Sequence, residues 1–170
     1  KQLPVFHALD ANTQQKVMEI FNAADLNGRG YLKELLKRPD LTPQDLQSIA
    51  KNLQILASQP LHAALEPQRA ALLSSVIQEL AAPDSIHQGI KATCTVTEEE
   101  RALCKATPSE YARLWAELGV KGEACYADGS KLTLNTDALP EDAGLPGCPL
   151  PGRKLSMRLF QASAMASLAS

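Results

Sequence analysis

Aromatic residues are scarce in this chain of 170 residues: they make up 4%, against 45% for hydrophobic residues as a whole. Leucine, isoleucine, valine and alanine must therefore build the core, with few large rings to anchor it. No apolar run approaches the roughly 18 residues of a membrane span, so no membrane span is expected. A secretory signal is not visible, and the chain begins at Lys1, not Met, so it reads as a piece of a longer protein. An excess of one charge is also missing. Lys and Arg number 17 and Asp and Glu 19, a formal net charge of −2, which argues against a partner that is nucleic acid or an anionic membrane.

Cysteines are few and widely spaced. Cys94, Cys104, Cys125 and Cys148 contain no C-x-x-C, and the three histidines are scattered at 7, 62 and 87. No metal-ligand spacing appears, so neither a metal nor any other cofactor is expected. The stretch Asp25–Leu36, "DLNGRGYLKELL", carries the Asp, Asn and central Gly of a calcium loop at its first, third and sixth positions. Arg29 and Leu36 occupy positions that need oxygen ligands. A Gly-rich turn between two helices is the better reading.

The hydrophobic pattern predicts a mainly α chain, α+β overall, with an N-terminal helical bundle over 1–82. Val17, Ile20, Phe21 and Ala24 share one helical face. Thr42, Pro43 and Asp45 predict a helix start, and Leu46, Ile49, Leu53 and Leu56 follow as an apolar stripe. A third helix, from about Glu66–Pro67, carries Leu72, Leu73, Val76, Ile77 and Leu80, and Pro83 stops it. The character changes over 83–170. "PDSIHQG" is a loop, and helical signals return after Cys94. Thr97 with Glu100, and Thr107 with Glu110, read as capping boxes. The second opens a helix with Tyr111, Leu114, Trp115 and Leu118 on one face and Gly119 as its stop. Asp128-Gly129 between "EACYA" and "KLTLN" predicts one small β-hairpin. The segment from Leu155 to Leu168 is an Ala-rich apolar helix that needs a partner surface, with none following it in the chain.

The chemistry-bearing stretch is "IHQGIKATCTVT", residues 86–97. A thiol attacks only as thiolate, and a helix N-terminus favours that form. Attack on a carbonyl builds negative charge on oxygen, which a backbone N–H and a side-chain amide stabilise. Gln88 supplies the amide. Gly89, in a supporting role, lets the loop turn tightly so that amide and thiol converge.

Gln88-Gly89, four residues, then Cys94 at a helix start resembles the layout around the nucleophile of papain-like cysteine peptidases. A closer likeness is to papain-like domains of large bacterial proteins, including secreted effectors and toxins. It covers about Pro83 to Met165, through "QG…TCTVT", "PSEYARLWAELG", "ADGSKLTL" and "SMRLFQASAM". The second cysteine, the Gly-Ser or Gly-Ala pair and the aromatic of the papain signature are absent.

The resemblance implies that Cys94 is the nucleophile, Gln88 the oxyanion-hole residue, and 83–170 the helical, nucleophile-bearing part of a papain-like fold, incomplete at its C-terminus. It implies a cysteine peptidase working through an acyl-enzyme on a protein or peptide substrate. Deamidation and acyl transfer use the same apparatus. It also implies virulence-type secretion from a bacterium or delivery to another cell, with the cytoplasm as the alternative. The family's histidine lies about 130–150 residues after the cysteine. Here only 76 residues follow Cys94, and none is His. The expectation is that the remainder of the parent chain, or a second chain, supplies that histidine, and that this chain alone is inactive. The competing class is a non-catalytic pseudoenzyme serving as an interaction module. Cys104 reads as a core residue, and Cys125 and Cys148 as a pair able to form a disulfide.

Overall fold

A computed structural model describes residues 4–143, 146 and 152–170. The chain is mainly helical: α1 (Pro4–Ala8), α2 (Ala11–Ala23), α3 (Leu26–Leu35), α4 (Pro43–Ser58), α5 (Arg69–Ala81), α6 (Cys94–Ala106), α7 (Pro108–Lys121) and α8 (Leu155–Leu168). The strands β1 (Glu123–Cys125) and β2 (Lys131–Thr133) form one antiparallel hairpin, with Ala124 opposite Leu132. Its turn is the expected one: Gly129 has φ 85°, and Asp128 Oδ1 accepts from Ser130 N–H at 2.9 Å.

α5 runs through the middle. Every residue from Leu72 to Leu80 is buried, because α3, α4, α7 and α8 all pack around it. α2 packs on α4, and α4 lies along α7. Buried residues from Leu9 to Ala164, on both sides of residue 82, belong to one hydrophobic cluster. With so few aromatics, Tyr111, Trp115 and Phe160 meet at its centre. The Phe160 ring lies 5.4 Å from that of Tyr111 and 6.4 Å from that of Trp115.

The start of α4 follows the expected chemistry. Thr42 Oγ1 accepts from Asp45 N–H, and the Asp45 carboxylate accepts in return from Thr42 N–H. Four local expectations are corrected. The stretch after Asp25 is no turn: Asp25 caps α3 by accepting from Gly28 N–H at 2.8 Å. The glycine is needed for contact, since a Cβ on Gly28 would overlap Ser74 of α5. Gly119 does not stop α7. It lies inside the helix, where a Cβ would come 2.5 Å from Leu56 Cδ2, and Gly122, with φ 75°, ends the helix.

Neither expected capping box in the second half forms. Thr97 and Glu100 lie inside α6 and are buried, and Thr107 Oγ1 donates back to Leu103 O while Glu110 pairs with Arg113. The terminal helix also has its partner within the chain. α8 is buried from Leu155 to Gln161 against α5, α6 and β2. Arg38, at the end of α3, joins three elements. Its Nη1 donates to Leu80 O at 2.6 Å and Cys104 O at 2.9 Å, so one guanidinium meets the carbonyl ends of α5 and α6. No helix among the described residues is long and apolar enough to cross a membrane.

Candidate active site

The segment before α6 is anchored by Ile86, which is fully buried and whose carbonyl accepts from Arg101 Nε at 2.7 Å. The chain then turns: Lys91 N–H donates to Gln88 O at 3.1 Å, with Gly89 at φ 59°. That left-handed conformation is open to glycine and costly for other residues. Gly89 also lies on Arg153, where a Cβ would stand 3.3 Å from Cγ.

Thr93 follows at the cap position, and Cys94 is the first residue of α6. Thr93 makes no side-chain cap. Its hydroxyl instead donates to Gln161 Oε1 at 3.0 Å. The N–H groups of Cys94, Thr95 and Val96 therefore have no hydrogen-bond partner among the described residues. Cys94 is exposed beside them. Gln88 is half-buried, and its side-chain amide makes no hydrogen bond to the described residues. An exposed sulfur thus lies at the positive end of a helix, six residues after an amide with free donors.

Gln161, of α8, ties this segment to the core. Its Nε2 donates to His87 O at 3.1 Å and to Glu100 Oε2 at 2.9 Å, while its Oε1 accepts from Thr93 and from Arg153 Nη1 at 3.1 Å. Arg153 is held by Asp142 through Nε and Nη2, both at 2.8 Å. That guanidinium keeps the Asp142 carboxyl below the usual carboxylate range.

Behind Gln161 lies a pair of buried carboxyl groups that sequence reasoning missed. Tyr111 Oη is hydrogen-bonded to both Glu79 and Glu100, and Ser156 Oγ donates to Glu79. Both carboxyls are fully buried, which pushes Glu79 up to about 7 and Glu100 well above its ordinary value, the latter also through Glu79. A phenol has one proton, so it can donate to only one carboxylate. With one proton held by the pair, every contact is satisfied: the protonated carboxyl donates to Tyr111, and Tyr111 donates to the other carboxylate. One signal was available: Glu79 interrupts an apolar helix that is buried on all sides.

None of the three histidines hydrogen-bonds Cys94. His87 Nδ1 accepts from Gly89 N–H at 3.1 Å. Burial, then Arg153 and Arg101, lower its pKa, so it is neutral at pH 7. His62 accepts from Ala64 N–H, and its ring lies beside Gly122 at the end of α7. Cys104 is a core residue whose thiol burial raises well above its ordinary value. Cys125 is exposed on β1, and Cys148, its expected partner, lies outside the described residues. Three surface cavities, of about 530, 730 and 340 Å³, are lined by neither Cys94 nor Gln88. Among the described residues, no three His, Cys, Asp or Glu side chains gather as a metal ion would require. Comparison with protein-family models, with curated proteins and with solved structures finds no match to this chain.

Proposed function

We propose that Cys94 is the nucleophile of a thiol-dependent reaction at an amide carbonyl, of the papain-like kind. One observation carries the reading: an exposed thiol on the first residue of a helix whose leading N–H groups have no hydrogen-bond partner among the described residues. The base takes the Cys94 thiol proton, the thiolate attacks the carbonyl carbon, a C–S bond forms, and the π electrons move to oxygen. Cys94 N–H and the Gln88 amide would donate to that oxyanion. The amine leaves with a proton from the base, and water then hydrolyses the thioester, returning acid and thiol. The reading requires a base from outside these 170 residues, since no histidine here hydrogen-bonds Cys94. A longer parent chain or a second chain would bring it. Transfer of the acyl group to another amine, or release of ammonia from a glutamine, needs only a different acceptor or leaving group.

The test is the pH profile of Cys94 alkylation by iodoacetamide, read residue by residue by mass spectrometry on the fully reduced protein. Cys125, also exposed, serves as an internal reference thiol. Cys94 should react well ahead of Cys125 near pH 6, where an ordinary thiol is almost wholly protonated. Parallel profiles at every pH would remove the nucleophile assignment.

A further inference from the structure

We propose that Gln161 is the positioning residue of this site: its buried amide clamps both ends of the 88–92 loop and so sets where Gln88 stands relative to Cys94. The inference rests on the assignment of Cys94 as nucleophile. Gln88 makes no side-chain hydrogen bond to the described residues, so its place follows from how its loop is held. That loop leaves the core at His87 and returns at Thr93. Gln161 holds the first through His87 O and the second through Thr93 Oγ1.

The bond to Thr93 has a second effect. It turns the hydroxyl away from the start of α6, where a threonine commonly accepts from a backbone N–H. The N–H it would have accepted from stays, like its neighbours, without a hydrogen-bond partner among the described residues.

An amide is the side chain this place demands. Two donors and an acceptor with two lone pairs match four partners: His87 O, Glu100 Oε2, Thr93 Oγ1 and Arg153 Nη1. A carboxylate would lack the donors and an aliphatic chain would lack everything. The orientation is locked, because two donors face Oε1 and two acceptors face Nε2. Gln161 is itself fully buried in α8, a rigid element, which is where a positioning group belongs. Arg153 completes the seat: fixed by Asp142, it bonds Gln161 and lies under Gly89.

The experiment compares wild type, Thr93→Val, Thr93→Ser and Gln161→Met. The readouts are the iodoacetamide pH profile of Cys94 against Cys125, and hydrogen exchange of the 87–97 segment. Thr93→Val removes one arm of the clamp and keeps side-chain shape. It should shift the Cys94 rate near pH 6 toward that of Cys125 by about tenfold and speed exchange across 87–97 by a similar factor, with exchange in α5 and α7 unchanged. Thr93→Ser restores the hydroxyl and should restore both readouts, which a mere loss of packing would not predict. Gln161→Met should exceed Thr93→Val; if it does not fold, Thr93→Val carries the test alone. An unchanged profile and unchanged exchange in folded Thr93→Val would overturn the clamp. Should wild-type Cys94 track Cys125 at all pH values, the nucleophile assignment falls. Exchange then decides the clamp: faster exchange confined to 87–97 upholds it, and unchanged exchange overturns it.

Discussion

Gly89 rests directly on Arg153, with room for a hydrogen but not for an unstrained methyl group: a Cβ there would stand 3.3 Å from Arg153 Cγ, on a backbone with φ 59°. Gly89→Ala should therefore destabilise the protein by about 1–2 kcal/mol, the scale of placing an L-residue in the left-handed region. Urea denaturation measures it. Wild-type stability in this variant would mean that the loop relaxes at no cost.

Under the proposed reading Gln88 is the oxyanion donor, and its side-chain amide has no hydrogen-bond partner among the described residues. If the proposed activity is obtained with its base present, Gln88→Ala should lower kcat by roughly 10²-fold with little change in KM. Cys94→Ala should abolish turnover. A Gln88→Ala enzyme with unchanged kcat would take the residue out of the mechanism.

The carboxyl pair makes stability depend on pH in an unusual direction. A glutamate in the unfolded chain titrates near 4.5, and burial pushes Glu79 up to about 7. Between those values the folded chain keeps a proton that the unfolded chain has lost, so stability falls as pH rises, and the loss is complete above about 7. Burial shifts Glu100 in the same direction, so it adds to the fall above its ordinary range. His87 acts oppositely below 6.5, because its pKa is lowered on folding. Glu79→Gln isolates the effect. Its Tm relative to wild type should rise between pH 5 and pH 8, by on the order of 5 °C. A difference constant with pH would show that Glu79 titrates normally.

At the α3–α5 crossing, Gly28 leaves no room for a side chain, and the Ser74 Cα itself lies 2.9 Å from the position of an added Cβ. Alanine favours a helix over glycine by about 1 kcal/mol. Overpacking should outweigh that gain, because backbone cannot rotate aside, and Gly28→Ala should cost about 1–3 kcal/mol net. Chemical denaturation gives the sign directly.

Arg38 spreads its donors over Leu80 O, Cys104 O and Lys105 O, and pairs with Asp40 through Nε and Nη2. A lysine keeps the charge but cannot span that geometry. Arg38→Lys should lose about 1–3 kcal/mol, the range for hydrogen bonds to a charged group. If it denatures with wild type, the guanidinium bonds contribute nothing to net stability.

Signals that act within a few residues were legible in the sequence. Thr42 to Asp45, Pro83 after α5 and Asp128-Gly129 each encode their structure through local sterics and hydrogen bonds, which do not wait for the rest of the chain. The apolar faces of α2, α4, α5 and α7 were equally readable, since helical periodicity alone selects which residues face inward. The segment holding Gln88, Gly89 and Cys94 was legible in part: a glycine turn followed by a helix start at the cysteine. The partners of that segment were not, because Gln161 lies in a different helix and meets it only in the folded chain.

The same limit explains the corrections. Thr97 with Glu100 matches a capping box, but α6 begins at Cys94, and Glu100 points inward to Tyr111 and Gln161. Gly28 and Gly119 looked like chain breaks and proved to be contact points, where Ser74 and Leu56 come too close for a Cβ. The sequence by itself determined where helices form and which faces are apolar, because those follow from short-range geometry and the pattern of hydrophobic residues. Only the tertiary structure decided which glycines serve packing, that the first half of α8 is covered, and that two glutamates share a phenol inside the core. Each of these depends on atoms brought together from distant parts of the chain, and burial there changes what a residue costs and what it can do.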